Sequence, residues 1–233
     1  QSGGLPTAYT ALVQVRMNGV PPTGSAATAS THFGFYSHVE PEGGEFLDNV
    51  LPGNSAGNLY SKRSDTSADW AYRAGDVAAS QNDGWSKQTH ASLNEWTDLD
   101  HFLQVVNAAA ADGTVTDAEL VSIKAVGDVS QWLRYFAVNA ILTNGENSLA
   151  SGRDDDYSLY RGSDGRFTIL PHDYDTILGD GDSSKITTAD LPYTLLDVVV
   201  GGKAGSTLAP LVPLFARNDI VAEYYRLLRQ LLE

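Results

Sequence analysis

An α+β fold follows from three features of this 233-residue chain. Apolar and polar residues alternate with the period of a strand through much of the first forty positions. From residue 98 onward, apolar residues recur at helical spacing behind capping signals. Between two helical stretches, "YSLYRGSDGRFTIL" sets two short β-prone runs around Gly-Ser-Asp-Gly, the composition of a hairpin. The expected division is a β-rich region over 1–97 and a mainly helical region over 98–233.

Taken in order, "AYTALVQVRMNGV" (8–20) predicts a strand through Leu12, Val13, Val15 and Met17 that ends at Asn18-Gly19. A Pro/Gly/Ser-rich loop follows over 21–31, and "HFGFYSHVE" (32–40) returns as a second strand. Its alternation puts His32, Tyr36, His38 and Glu40 on one face and Phe33, Phe35 and Val39 on the other. "GNLYSKRS" (57–64) closes the β-rich part, and 65–97 carries weak signals. Apolar residues at 99, 102, 103, 105 and 106 predict a helix, and Thr116 with Glu119 is spaced as a capping box for the next. The clearest helix is capped by Asp128, with Gln131 at the box position and Asn144-Gly145 as its end. Residues 190–201 are ambiguous, and "LVPLFARNDIVAEYYRLLRQLLE" reads as one closing helix.

Composition narrows the function. A net charge of −14 argues against nucleic-acid binding and against docking on anionic lipid, both of which need a surplus of Lys and Arg. Without cysteine, neither a disulfide framework nor a thiolate metal site is available. No run of about 20 apolar residues is present to span a bilayer as a helix. The start, Gln1-Ser2-Gly3-Gly4, and a single methionine at Met17 lead to the expectation of a processed product or fragment of a longer precursor.

The most informative stretch is "RFTILPHDYDTILGDGD", 166–182. Two carboxylates about 4 Å apart repel by about 4 kcal/mol at an effective dielectric near 20, so crowded aspartates call for a cation or for solvent. Pairing Arg161 with Arg166 across the hairpin would put Asp156 opposite Pro171 and Asp154 opposite Asp173. "RDDDY" and "PHDYD" would then meet at one open end, where the helix ending in "TNGEN" also delivers Glu146. Oxygen ligands gathered in this way suit a hard divalent cation. Asp173 and Asp175 share a side if the segment is extended, and Asp156 stands directly before the strand. Asp180 and Asp182, beside Gly179 and Gly181, read as turn residues. His172 either orients an acid or phosphate or is a structural histidine. His32 and His38, about 20 Å apart along a strand, cannot share a zinc ion.

At these residues the sequence resembles the CotH kinase family. The resemblance rests on "WLRYFAVNAILTNGEN" followed by "DDYSLYRGSDGRFTILPHDYDTILGDGD", and upstream on "GFYSHVE", "FLDN" and "GNLYSKRS". It covers nearly the whole chain and is most specific over 128–182. It implies an atypical protein-kinase-like fold, with a partial β-rich N-terminal lobe and a helical C-terminal lobe carrying a catalytic-loop hairpin. It also implies transfer of phosphate from ATP to Ser or Thr of secreted proteins, and hence a secreted or cell-surface location.

Carried over, Asp173 would bind Mg²⁺ or Mn²⁺ with ATP, with Asp156 and Asp175 as further ligands, and Glu146 would be the base. Lys62, Glu40 and His172 are the candidates for the nucleotide side. Glu146 departs from the family's Asp by one methylene, which matters where geometry sets the rate. The alternative is a catalytically silent module in which the acidic cluster holds Ca²⁺. A further expectation is a companion polypeptide packed beside residues 1–40, because an unpaired apolar sheet edge invites pairing.

Overall fold

Two strands that the hairpin brings together, β5 (Tyr157–Arg161) and β6 (Phe167–Pro171), are the middle and one edge of the main sheet. The computed structural model describes residues 2–16, 18–19, 35–62, 70–73, 84–144, 157–174, 177–178 and 209–233. Within them the chain is α+β, with six α-helices and two small antiparallel sheets. The smaller sheet pairs β1 (Thr10–Val13) with β2 (Tyr36–Val39). The larger has the order β4-β3-β5-β6, where β3 is Asn58–Lys62 and β4 is Trp85–Lys87. Strands from before and after residue 97 therefore share one sheet, joined where β3 pairs with β5.

The sheet is buried on both faces, so its alternation is read by two cores. Leu59, Tyr160 and Leu170 pack on Phe46, Leu47 and Val50 of α1 (Gly44–Val50). Tyr60, Tyr157, Leu159, Phe167 and Ile169 belong to the larger core on the other face. That core is built by α2 (Thr97–Ala109), α3 (Asp117–Val126), α4 (Val129–Leu142), α5 (Val212–Phe215) and α6 (Asn218–Leu232). Leu99, Phe102, Leu103 and Val106 of α2 form one apolar stripe, as a 3.6-residue period requires. Among the described residues no helix is long and apolar enough to cross a membrane.

Several local expectations hold in detail. Thr116 and Glu119 form the capping box, with Glu119 accepting from the Thr116 N–H at 2.7 Å and Thr116 Oγ1 from the Glu119 N–H at 3.3 Å. Asp128 caps α4 through the Gln131 N–H at 3.2 Å. Gln131 does not complete a box. Its amide instead pairs with β6, donating to the Ile169 carbonyl at 2.6 Å and accepting from the Ile169 N–H at 2.8 Å.

Other expectations are corrected. The helix α4 ends one residue before the left-handed Thr143 (φ 55), not at Asn144-Gly145. The hairpin register is one residue off the expected one: Arg161 faces Phe167 and Tyr157 faces Pro171. The loop is lengthened by a Gly162 N–H bond to the Arg166 carbonyl (3.1 Å) and by Asn54, whose side chain accepts from both N–H and hydroxyl of Ser163. The closing helix is two helices. Arg217 between them is extended, its guanidinium held by the Val115 carbonyl and by Asp117 and Asp219. The strands β1 and β2 are shorter than expected, and α1 and β4 carried no helix or strand expectation.

The small sheet has one apolar face turned outward. Leu12 is 75% exposed, Phe35 71% and Val39 48%.

Candidate functional site

The arrangement begins where α4 docks on β6. The Asp128 N–H and the Trp132 indole N–H both donate to the Phe167 carbonyl, each at 2.9 Å, and Gln131 grips Ile169 two residues further on. A parallel bridge joins Gly127 to Phe167. Here glycine is required sterically, since a Cβ at 127 would lie 2.2 Å from the Trp132 ring. Helix and strand thus leave one point in the same direction. Their far ends must arrive together.

They do. The Leu178 N–H donates to the Leu142 carbonyl at 2.7 Å, tying the segment after β6 to the last turn of α4. Asn144 Nδ2 donates to Asn139 Oδ1 at 2.9 Å, and Asn139 Nδ2 to the Tyr135 carbonyl at 2.9 Å. Tyr174 sits beside Asn139, and burial pushes its phenol up although Asn139 opposes the shift. Asn139 and Asn144 are buried polar groups at the end of an apolar helix. Sequence reasoning passed over Asn139 and read Asn144 only as the end of the helix. The available signal was an amide inside the otherwise apolar "AVNAIL".

Asp173 lies at this shared end, exposed, with left-handed backbone (φ 45). Aspartate tolerates that region better than most residues, but it still costs energy, and such outliers concentrate at functional sites. Its neighbour His172 is exposed too. Glu146, Asp156 and Asp175 lie outside the described residues. Their close chain neighbours Asn144, Tyr157 and Tyr174 are described, and the contacts and ladder above bring those to one end of the sheet. Among the described residues no group of three or more metal-type side chains forms.

Of the two remaining candidates, Glu40 sits apart from Asp173 in its contacts. Glu40 accepts from Asn49 Nδ2 at 2.5 Å and from the Tyr9 N–H at 3.3 Å, linking the small sheet to α1. Lys62 is the last residue of β3, its backbone opposite Trp85, and the β3–β5 register, with Ser61 opposite Ser158, carries that backbone to the same end of the sheet as Tyr157 and Pro171; its side chain lies outside the described set.

The structure adds an acid that sequence reasoning missed. Glu42, between β2 and α1, accepts from the Ser158 hydroxyl at 2.6 Å. Its other oxygen is buried, and among the described residues it has no hydrogen bond. Burial raises this carboxyl, and the Ser158 bond and the charge of His172 oppose the rise. The exposed carboxylate of Asp173 fits the chemistry of a hard cation.

A polar groove of about 350 Å³, lined by Asn58, Glu95, Thr97, Asp98, His101 and Arg161, lies at the opposite, turn end of the hairpin. It belongs to a different neighbourhood from Asp173.

No curated protein matches the chain. The family model for CotH kinase protein, however, matches residues 1–229 of the 233, taking in both sheets, the helices and the acidic end of the hairpin, and the chain belongs to the CotH kinase family.

Proposed function

We propose that this protein moves the γ-phosphate of ATP to a Ser or Thr hydroxyl of a secreted protein. The observation that carries the reading is the convergence of the α4 end with the β6 end, which brings Asn144 and Asp173 to one end of the sheet. Protein kinases need that juxtaposition, because phosphoryl transfer is mainly positioning and charge stabilisation. Mg²⁺ or Mn²⁺, when bound, would supply neutralisation of the charge that develops on the phosphates. Asp173 would hold it, with Asp156 and Asp175 completing or orienting the set. Glu146 would take the proton as the acceptor oxygen bonds to the γ-phosphorus and the bond to the β-phosphate oxygen breaks, releasing ADP. Lys62, Glu40 and His172 are assigned to the nucleotide side of the same proposal.

Secretion and the two-lobed kinase architecture belong to that proposal. So does a companion polypeptide along the small sheet, supported by its exposed apolar face. Incubation with γ-labelled ATP, Mn²⁺ and candidate secreted proteins tests the central step. Incorporation that disappears in Asp173→Ala supports the reading; incorporation that persists removes Asp173 from it. A calcium-holding module without catalysis would instead be stabilised against heat by Ca²⁺ alone, with no added effect of nucleotide.

A further inference from the structure

The ladder of the hairpin ends at the Tyr157–Pro171 pair, one residue after Asp156 and two before Asp173. One step inside it, Ser158 faces Leu170 and is 1% exposed. Its hydroxyl donates to Glu42 Oε2 at 2.6 Å. Glu42 is thus where the segment between β2 and α1 grips the strand emerging from the acidic end. His172 follows Leu170 by two residues, on the alternation that Leu170 and Ser158 share, and its charge reaches the Glu42 carboxyl.

An acid at this position is not explained by the tie to Ser158. A neutral amide would accept the same hydrogen bond. A buried carboxylate oxygen with no donor carries a desolvation penalty that an amide or hydroxyl avoids. Glu42 Oε1 is such an oxygen. A residue that is costly for stability yet borders a reactive segment is explained by what it orients.

We infer, on the phosphotransfer reading above, that Glu42 is a positioning residue. One carboxylate oxygen fixes the start of β5 through Ser158, and the charge of the carboxylate draws the His172 ring to this face of the sheet, beside Asp173. Glu42 does not touch substrate. It acts through the two strand ends it joins.

Glu42→Gln separates this from a structural role, because it keeps an acceptor for Ser158 and removes the carboxylate. Imidazole ¹⁵N spectra at one fixed pH, without nucleotide, are the readout that does not depend on activity. The ring signals of His172 shift in Glu42→Gln, while those of His90 and His101 stay in place. The melting temperature is not lowered. With Mn²⁺·ATP, kcat/KM falls about 10- to 100-fold, the range for removing a residue that orients a ligand. Glu42→Ala gives the same His172 shift with a lower melting temperature. Unmoved His172 signals in folded Glu42→Gln overturn the inference. If the wild-type protein transfers no phosphate but the His172 signals still move, the positioning stands and the phosphotransfer reading fails.

Discussion

The two ends of one hairpin carry the same residue types in opposite states. At the turn end, Asp98 accepts from Asn58 Nδ2 at 2.7 Å, the Tyr60 hydroxyl at 2.6 Å and the Leu99 N–H at 2.9 Å, with Arg161 at 3.9 Å. Asp164 is paired with Arg166 at 2.8 Å, and that bond raises the guanidinium further. At the open end, Asp173 faces solvent on left-handed backbone, and Glu42 keeps a buried oxygen without a donor. Acids whose oxygens are filled by donors hold a fold together, whereas an exposed acid left short of donors is available to a ligand. An aspartate's role in this hairpin is set by the donors around it, not by its place in an acidic run.

That contrast can be broken in four ways. The largest effect is expected from Asp173→Asn, which lowers phosphotransfer by about a thousandfold, as loss of a charge-stabilising group does, and, because asparagine also tolerates left-handed backbone, leaves the melting temperature of an exposed site unchanged. Asp98→Ala does the reverse. Stripping the buried Tyr60 hydroxyl and Asn58 of their acceptor costs about 2–4 kcal/mol in denaturant unfolding, while the KM for ATP is retained.

Glu42 ranks third, and its signature is pH dependence. Burial raises its folded value above the unfolded 4.5, so the group favours the folded state most below that pH and loses this as pH rises through the folded value. The stability of Glu42→Gln relative to wild type should therefore improve from acid toward neutral pH. A flat difference across that window would mean the Glu42 carboxyl is not perturbed. The smallest effect belongs to Thr116→Ala, which removes a helix cap far from either end. It should lower stability by about 1 kcal/mol and leave nucleotide binding alone.

What the sequence made legible was local. The period of α2, the capping box at Thr116 and the cap at Asp128 depend on residues within one or two turns, and all three appear as read. The acidic crowding beyond "TILP" was visible for the same reason. What escaped depends on distant partners. The hairpin register slipped by one because Asn54, more than a hundred residues upstream, holds Ser163 in a longer loop. The closing helix broke because Arg217 is held by Val115 and Asp117. Glu42 stood two residues from the predicted Glu40, yet its partner Ser158 is 116 residues away. Strand pairing sets that meeting, and no single-sequence signal marks it. Glu40, the acid that was read, is engaged by Asn49 and Tyr9.

The difference between the two ends is tested most directly by calorimetric titration of Mg²⁺·ATP into the wild-type protein, Asp173→Asn and Asp98→Asn. Saturable binding in wild type that is lost in Asp173→Asn and kept in folded Asp98→Asn is the expected result. Binding that survives in Asp173→Asn, or that vanishes only in Asp98→Asn, would contradict the assignment of the open end as the nucleotide and cation site.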